Sequence, residues 1–181
     1  MTRTVVALGG PPGSGKSTAG RLVARALGLD YRSAGELFRE QARARGLDLE
    51  SFGRYAEQHP EVDTELDRAM QELARPGVLL EGRIQGALCQ RRGVPVVVIV
   101  VTAAPAERAR RIAGRDGQEL AQAARAIETR EAVERARYLK FYQIDLDREV
   151  PDLLVDSTSV PAEEVARTVV AFLRRSWGEA G

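Results

Sequence analysis

Short apolar runs alternate with amphipathic stretches along most of the chain. Apolar residues recur at helical spacing in Lys16–Leu27 and in the closing stretch Ala162–Trp177. Five runs of aliphatic, often β-branched residues predict buried strands at Thr4–Leu8, Leu29–Arg32, Val78–Leu80, Val94–Thr102 and Leu153–Val155. Apolar strands separated by helices predict a parallel sheet that is covered on both faces. We therefore expect an α/β fold, with a five-stranded parallel sheet in three α/β/α layers.

Two polar helical stretches interrupt this alternation. The stretch at about 34–75 breaks at Gly46 and at His59-Pro60, which predicts two or three short helices and no strand. The stretch at about 114–145 follows the break Gly114–Gly117 and is highly charged. Both are too hydrophilic for a core, and we expect them to lie as flaps over the carboxyl edge of the sheet, where α/β proteins bind ligands. The predicted single domain 1–181 then has a core formed by 1–33, 76–113 and 146–181.

Composition limits the class of function. A chain of 181 residues fits one compact domain, and its net charge of +1 gives no reason to expect a nucleic-acid or membrane partner. The single cysteine, Cys89, excludes an intramolecular disulfide and a multi-cysteine metal cluster. The apolar run Val96–Val101 is too short to span a bilayer, and no signal peptide is recognised. We expect a cytoplasmic protein and a monomer.

A phosphate-binding motif lies between the first predicted strand and the first predicted helix. The pattern G-x-x-x-x-G-K-[ST] is matched by Gly10, Pro11, Pro12, Gly13, Ser14, Gly15, Lys16 and Ser17. The backbone N–H groups of such a loop point at phosphate oxygens, and the following helix adds its positive N-terminal end. A dinucleotide-binding loop is disfavoured, because Thr18 stands where that motif needs its third glycine.

The end of this motif predicts the cofactors ATP and Mg²⁺. We expect Lys16 to bridge the outer phosphates and Ser17 to offer its hydroxyl to Mg²⁺. Glu81, at the tip of the strand Val78–Leu80, is a candidate second magnesium residue, since an acid there can hold a metal-bound water. The alternative is an acid that simply ends a strand. Arg83, two residues later, would point over the same edge.

Arginine is strongly favoured over lysine, with 25 arginines and two lysines. Its planar guanidinium binds oxyanions through two parallel hydrogen bonds, so position has to separate phosphate ligands from surface charges. A site that transfers a phosphoryl group needs cations that close over this group and exclude water, and we predict that arginines in and just before the flap at about 114–145 supply them. The alternative is a solvated helix in which these arginines form ion pairs with neighbouring acids. The stronger candidates are Arg115, Arg130 and Arg137, and the weaker ones are Arg108 and Arg111.

The motifs together resemble the nucleoside monophosphate kinases, most closely the short cytidylate kinases typical of archaea. The resemblance covers nearly the whole chain. It rests on GPPGSGKST at 10–18, SAGELFR at 33–39, PEVD to DR at 60–68, LLEGR at 79–83, AERARRIAGRDG at 106–117 and TREAVERARYLKFYQIDL at 129–146. The phosphate loop is common to many kinases, whereas the combination of the other segments is more specific.

This resemblance implies a P-loop kinase fold that transfers the ATP γ-phosphoryl group to CMP or dCMP. The stretch 34–75 would be the acceptor-binding insert and 114–145 the lid. Lys16 and the phosphate loop through Thr18 would hold ATP. The resemblance places the acceptor phosphate and its surroundings at Ser33, Gly35, Arg39, Gly82 and Arg83. It places the acceptor base at Asp63, Asp67 and Arg68.

One segment departs from the family pattern. Where Leu-Ala-Gly-Trp is expected after Arg83, this chain has Ile84-Gln85-Gly86-Ala87. The identity of the acceptor base therefore stays open at this point. Alternatives are a kinase for AMP, UMP, shikimate or dephospho-coenzyme A, and a nucleotide-binding switch or ATPase that phosphorylates no small molecule.

Overall fold

A computed structural model of the protein describes residues 4–178, except for the side chains of Leu49, Glu50 and Glu57. The outer ends of the predicted core segments, 1–3 and 179–181, therefore lie outside the described residues. The helices and strands follow in the order β1 Val5–Gly9, α1 Lys16–Leu27, β2 Asp30–Ser33, α2 Ala34–Ala44, α3 Leu49–Gln58, α4 Pro60–Glu72, β3 Val78–Glu81, α5 Gln85–Arg91, β4 Val96–Thr102, α6 Pro105–Asp116, α7 Leu120–Tyr142, β5 Leu153–Asp156 and α8 Ala162–Ser176. A 3₁₀ turn, Leu146–Arg148, precedes β5.

The five strands form one parallel sheet in the order β2-β3-β1-β4-β5. Successive side chains of a strand point to opposite faces, and this divides the core into two layers. On one face, Val6 and Leu8 pack with helices α1 and α8. On the other face, Val5 and Leu80 pack with helices α4 and α5. The predicted three-layer α/β/α fold is thus confirmed.

The two polar stretches are helical, as predicted, and each has an apolar contact of its own. Helices α2, α3 and α4 surround a small cluster centred on Phe52, which is fully buried. Helices α6 and α7 pack through Ile112 and Ile127. Whether these stretches act as an insert and a lid remains a prediction.

Three details differ from the sequence-based expectation. Helix α5 lies in a segment for which no element was predicted, and so does the 3₁₀ turn at Leu146–Arg148. Gly114 does not interrupt the helical structure, because helix α6 continues through it to Asp116. The helix is capped by Gly117, which has a φ of 65°. Within residues 4–178, no helix combines the length and apolar character needed to cross a membrane.

Candidate active site

The loop between β1 and α1 is held in a shape that only glycine allows at two positions. Gly10 and Gly13 have φ of 140° and 79°, in the region that side chains disfavour. A Cβ atom on Gly10 would lie 2.0 Å from the carbonyl oxygen of Val101, and one on Gly13 would lie 2.7 Å from that of Arg108. The loop therefore packs directly on strand β4 and helix α6.

Backbone carbonyls of the loop are tied to neighbouring elements. Ser157 Oγ, after β5, donates to the carbonyl oxygen of Ser14 at 2.7 Å. Arg108 Nη1 donates to the carbonyl oxygen of Pro12 at 3.2 Å and also pairs with Glu131 of α7 at 2.7 Å. These anchors take carbonyl oxygens and leave the loop N–H groups to bind phosphate oxygens, apart from that of Ser14, which donates to the Pro11 carbonyl oxygen at 3.3 Å. Ser14 Oγ is buried and has no hydrogen-bond partner within the described part of the chain.

Lys16 lies at the start of α1 beside the tip of β3. Its Nζ donates to the carbonyl oxygen of Pro11 at 3.3 Å and lies 3.9 Å from Glu81 Oε1. Burial lowers the pKa of Lys16, and the Glu81 carboxylate opposes this shift. The charges of Arg130 and Arg83 lower this pKa further and that of Glu134 raises it, so charged residues of α7 and of the turn after β3 act on Lys16.

Glu81 links the donor side of this site to the β2 edge. It is paired in register with Leu8 of β1 and with Ser33 of β2. Its Oε2 accepts hydrogen bonds from Ser33 Oγ at 2.5 Å and from Tyr31 Oη at 3.1 Å. The structure therefore brings together Lys16, Glu81 and Ser33, which the sequence placed on three separate elements.

A second group of predicted residues surrounds the start of α2. A Cβ atom on Gly35 would lie 3.6 Å from Arg39 Nη1 and 3.7 Å from Ser33 Oγ. A Cβ atom on Gly82 would lie 3.1 Å from Ala34 Cβ, at the same helix start. Ser33 caps α2 by accepting from the backbone N–H of Glu36 at 3.3 Å. This arrangement leaves an exposed guanidinium, Arg39, over a helix N-terminus, a combination that suits an anion.

Arg83 directly follows Gly82, which lies beside the start of α2. Its charge acts on Lys16 and on Glu149, whose pKa is raised by burial and drawn down by Arg83. Its Nε is buried, and no hydrogen-bond partner for it exists among residues 4–178. A buried, unsatisfied donor on a charged side chain is costly, and an anionic ligand would satisfy it.

The predicted lid arginines are not equivalent. Arg130 pairs with Glu134 at 2.8 Å, and its charge reaches Lys16. Arg115 instead bonds the adjacent Asp116, and its side chain is 69% exposed. The Arg130 side chain is 65% exposed as well, so the two arginines differ in that the charge of Arg130 acts on the pKa of Lys16.

Arg137 contacts the predicted insert rather than the loop. Its Nη1 lies 3.0 Å from Asp63 Oδ2 of α4. Burial raises the pKa of Asp63, and Arg137 opposes this shift. Asp67, one turn later, is buried and accepts from Tyr142 Oη at 2.6 Å. Arg68 lies on another face of α4, where it is 73% exposed and 3.9 Å from Glu72, so it is not part of this cluster.

A cavity of about 470 Å³ lies beside the phosphate loop, on the side of β5. Arg111, one of its lining residues, donates to the Ser157 carbonyl oxygen at 2.6 Å. The segment Ser157–Pro161 forms much of its wall, which also includes Gly15 and Thr18. Sequence analysis missed this segment, although its position after a predicted strand, at the carboxyl edge of the sheet, was a usable signal.

The donor set near the loop fits Mg²⁺. Ser17 and Glu81 offer hard oxygen ligands, and Mg²⁺ usually takes one or two protein oxygens together with phosphate and water oxygens. Groups of three or more His, Cys, Asp or Glu side chains that could hold a metal are absent from the described residues. A magnesium ion here would therefore depend on nucleotide phosphates for most of its ligands.

The chain is similar to several known proteins. Residues 6–137 match the family model described as an AAA domain. The chain is 42% identical to a cytidylate kinase of Pyrobaculum arsenaticum, over 93% of this chain and 91% of the relative. It is 38% identical to the cytidylate kinases of Archaeoglobus fulgidus, over 91% of this chain and 92% of the relative, and of Methanocaldococcus jannaschii, over 91% and 94%.

Solved structures with the same fold include two kinases. A shikimate kinase from Acinetobacter baumannii in complex with shikimate superposes with a TM-score of 0.67 at 20% identity, covering 97% of this chain and 95% of that chain. A gluconokinase from Sinorhizobium meliloti superposes with a TM-score of 0.62 at 18% identity, covering 97% and 94%. At these identities the likeness extends to the fold alone.

Proposed function

The chain belongs to the cytidylate kinase family, and on this premise we propose that it transfers the γ-phosphoryl group of ATP to CMP or dCMP. The products are ADP and the corresponding diphosphate. The observation that carries this proposal is that two sets of residues suited to bind phosphate lie on either side of Glu81. The loop with Lys16 lies on one side, and Ser33 with Arg39 lies on the other. Two phosphate sites at one sheet edge suit transfer between two nucleotides.

The donor nucleotide binds along the loop and into the cavity beside it. Backbone N–H groups of Gly13 to Lys16 and the start of α1 hold the β- and γ-phosphates. The cavity lined by Arg111 and Ser157 takes the base, because it opens next to Gly15 and Thr18. Its volume of about 470 Å³ is in the range of small-molecule sites.

The acceptor phosphate binds near Ser33, Arg39 and Arg83. It is already anionic and acts as its own nucleophile, so the protein need not supply a general base. Catalysis then comes from alignment of the two phosphates and from cations placed where negative charge is spread. Lys16, Arg83 and Arg130 fit that role, since the charges of Arg83 and Arg130 both act on the ammonium group of Lys16.

The lid and the magnesium residues complete the proposed mechanism. Ser17 and Glu81 would hold Mg²⁺, which neutralises charge on the phosphates when bound. Movement of α7 would bring Arg137 from its present partner, Asp63, to the phosphates, and movement of the end of α6 would bring Arg115 from Asp116. Closure of this kind excludes water and protects ATP from hydrolysis. We further propose that the enzyme works as a cytoplasmic monomer.

An acceptor panel tests this function. ADP release is coupled to NADH oxidation with CMP, dCMP, UMP, AMP and shikimate offered separately, and Lys16→Ala serves as the inactive control. We expect the highest kcat/KM with CMP or dCMP. Fast turnover of another acceptor with none of CMP or dCMP would contradict the proposal. Equal ADP release with and without acceptor would indicate an ATPase instead.

A further inference from the structure

A buried hydrogen-bond network joins the insert to the segment that departs from the family pattern. Gln85, at the start of α5, is 1% exposed. Its Nε2 donates to Asp67 Oδ1 at 2.9 Å, while Tyr142 Oη of α7 donates to Asp67 Oδ2 at 2.6 Å. Asp67 therefore receives one hydrogen bond on each carboxylate oxygen, from two different helices.

The orientation of the Gln85 amide is fixed by its neighbour on α4. Gln71 Nε2 donates to Gln85 Oε1 at 2.7 Å, so the oxygen of the Gln85 amide must face Gln71 and its NH₂ group must face Asp67. Gln71 is itself oriented by Cys89, whose thiol donates to Gln71 Oε1 at 3.5 Å. A reversed amide would set an oxygen against the carboxylate. The hydrogen bonds from Cys89 to Gln71, from Gln71 to Gln85 and from Gln85 to Asp67 thus all run in one direction, which ends at Asp67.

Two donors also favour the ionised form of Asp67. Burial raises the pKa of its carboxyl group, whereas the hydrogen bonds from Tyr142 and Gln85 lower it. An ionised carboxylate only accepts hydrogen bonds, and each oxygen keeps a further lone pair beyond the bond it already accepts. In its ionised form, Asp67 is thus a carboxylate that its two donors hold in one orientation, with acceptor capacity left.

Gln85 also lies under the proposed acceptor phosphate site. A Cβ atom on Gly82 would lie 2.9 Å from Gln85 Cγ, and Arg83 follows Gly82 directly. The side chain therefore connects the Gly82–Arg83 turn to Asp67 on the insert. One end of this connection faces the acceptor phosphate, and the other lies on the helix expected to meet the acceptor base.

We propose that Gln85 is a positioning residue that holds Asp67 ready to accept a hydrogen bond from the amino group of the acceptor base. Cytosine presents an N4 amino donor at the position where uracil presents the O4 carbonyl acceptor. A carboxylate binds the first group and repels the second. Gln85 thereby sets the preference for CMP over UMP. This inference rests on the proposed function and adds the residue that controls its base specificity.

The test compares Gln85→Met with Gln90→Met. Methionine has a similar length but cannot donate to Asp67, and Gln90 is an exposed residue of the same helix. The measured quantity is the ratio of kcat/KM for CMP to kcat/KM for UMP, together with KM for ATP. We expect Gln85→Met to lower this ratio about tenfold, as loss of a hydrogen bond to a charged group predicts. KM for ATP should not change, and Gln90→Met should match the wild type.

Tyr142→Phe is the second variant, and it decides the matter alone if Gln85→Met does not fold. It removes the other donor to Asp67 while keeping the aromatic ring, and we expect a loss of CMP preference in the same direction. An unchanged ratio in the variants that fold would overturn the role of Gln85. So would a wild-type enzyme that turns over CMP and UMP equally, although the proposed function would stand. A wild type inactive on CMP would instead overturn the proposed function itself.

Discussion

Arg83 is a charged side chain with one hydrogen-bond donor left unused. Its Nε is buried without an acceptor in the described structure, and its charge acts on Lys16. A phosphate would satisfy this donor and the guanidinium charge together. The acceptor phosphate is the ligand that the proposed function puts there.

Arg83→Ala tests that assignment. We expect KM for the acceptor to rise about 10- to 100-fold, the range for a lost hydrogen bond to a charged group, while KM for ATP changes little. Steady-state kinetics with each substrate varied in turn give both constants. Arg167→Ala is the matched control, because Arg167 is 73% exposed on α8. An unchanged acceptor KM in Arg83→Ala would remove Arg83 from the site.

The lowered pKa of Lys16 predicts how kcat/KM for ATP depends on pH. Burial lowers its pKa below the usual 10.5, so the ammonium group loses its proton at a lower pH than a free lysine does. We expect kcat/KM for ATP to fall as the pH rises through that lowered pKa, since kcat/KM reports the free enzyme. Lys16→Arg should be slower throughout but flat over this range, because a guanidinium keeps its proton. The same alkaline fall in Lys16→Arg would assign the titration to another group.

At the scale of single residues, the sequence predicts which residues belong to the site better than it predicts which contacts their side chains make. The loop residues, Glu81 and Ser33 meet as expected, because parallel strands bring their carboxyl ends to one edge. The lid arginines are predicted from their place in or beside a charged helical stretch and from the family resemblance, and neither chooses between a neighbouring carboxylate and a distant phosphate. Arg115 therefore pairs with Asp116 here. Arg108, one of the two weaker candidates, contacts the loop instead.

At the scale of elements, α6 and α7 join the phosphate loop to the proposed lid. The Arg108 side chain is 9% exposed and bonds both the Pro12 carbonyl and the Glu131 carboxylate. The backbone of Arg108 also limits Gly13, since a Cβ atom there would meet its carbonyl oxygen at 2.7 Å. The Arg108 side chain can therefore transmit a movement of α7 to the phosphate loop.

Glu131→Gln should weaken this connection. It leaves a largely buried guanidinium without its counter-ion, so we expect a loss of about 1–3 kcal/mol in the free energy of unfolding and a higher KM for ATP. Urea unfolding and steady-state kinetics provide the two measurements. The control, Glu128→Gln, changes an exposed residue of the same helix and should stay within about 0.5 kcal/mol of the wild type. Equal behaviour of the two variants would refute the connection.

The long elements were predictable, whereas α5 was not. Helix α5 spans seven residues and includes Gly86, too short and too poor in periodicity to stand out in the sequence. Gln85 likewise carries no local signal, since a polar residue near a glycine is expected in a turn. Its burial arises from tertiary contacts with α4, which the sequence pattern does not encode.

At the scale of the whole molecule, the strand order explains why the site lies where it does. With the order β2-β3-β1-β4-β5, the ends of β1, β3 and β2 stand side by side. The donor loop follows β1, Glu81 ends β3, and Ser33 ends β2. The proposed insert begins directly after β2, and the charged helix α7 follows β4 and α6. Both polar stretches therefore start from the edge of the sheet that carries the proposed phosphate-binding residues. The proposed insert and lid are thus positioned to meet over the reacting phosphates.

The central claim is transfer from ATP to a cytidine monophosphate, and labelled phosphate follows it directly. The enzyme is given [γ-³²P]ATP and Mg²⁺ with equal concentrations of CMP, UMP, AMP and shikimate, and the products are separated over the first minutes. We expect the label to appear in CDP before any other product, and this transfer to be lost in Lys16→Ala. Label recovered first in another acceptor, or released as inorganic phosphate while CMP stays unmodified, would contradict the account.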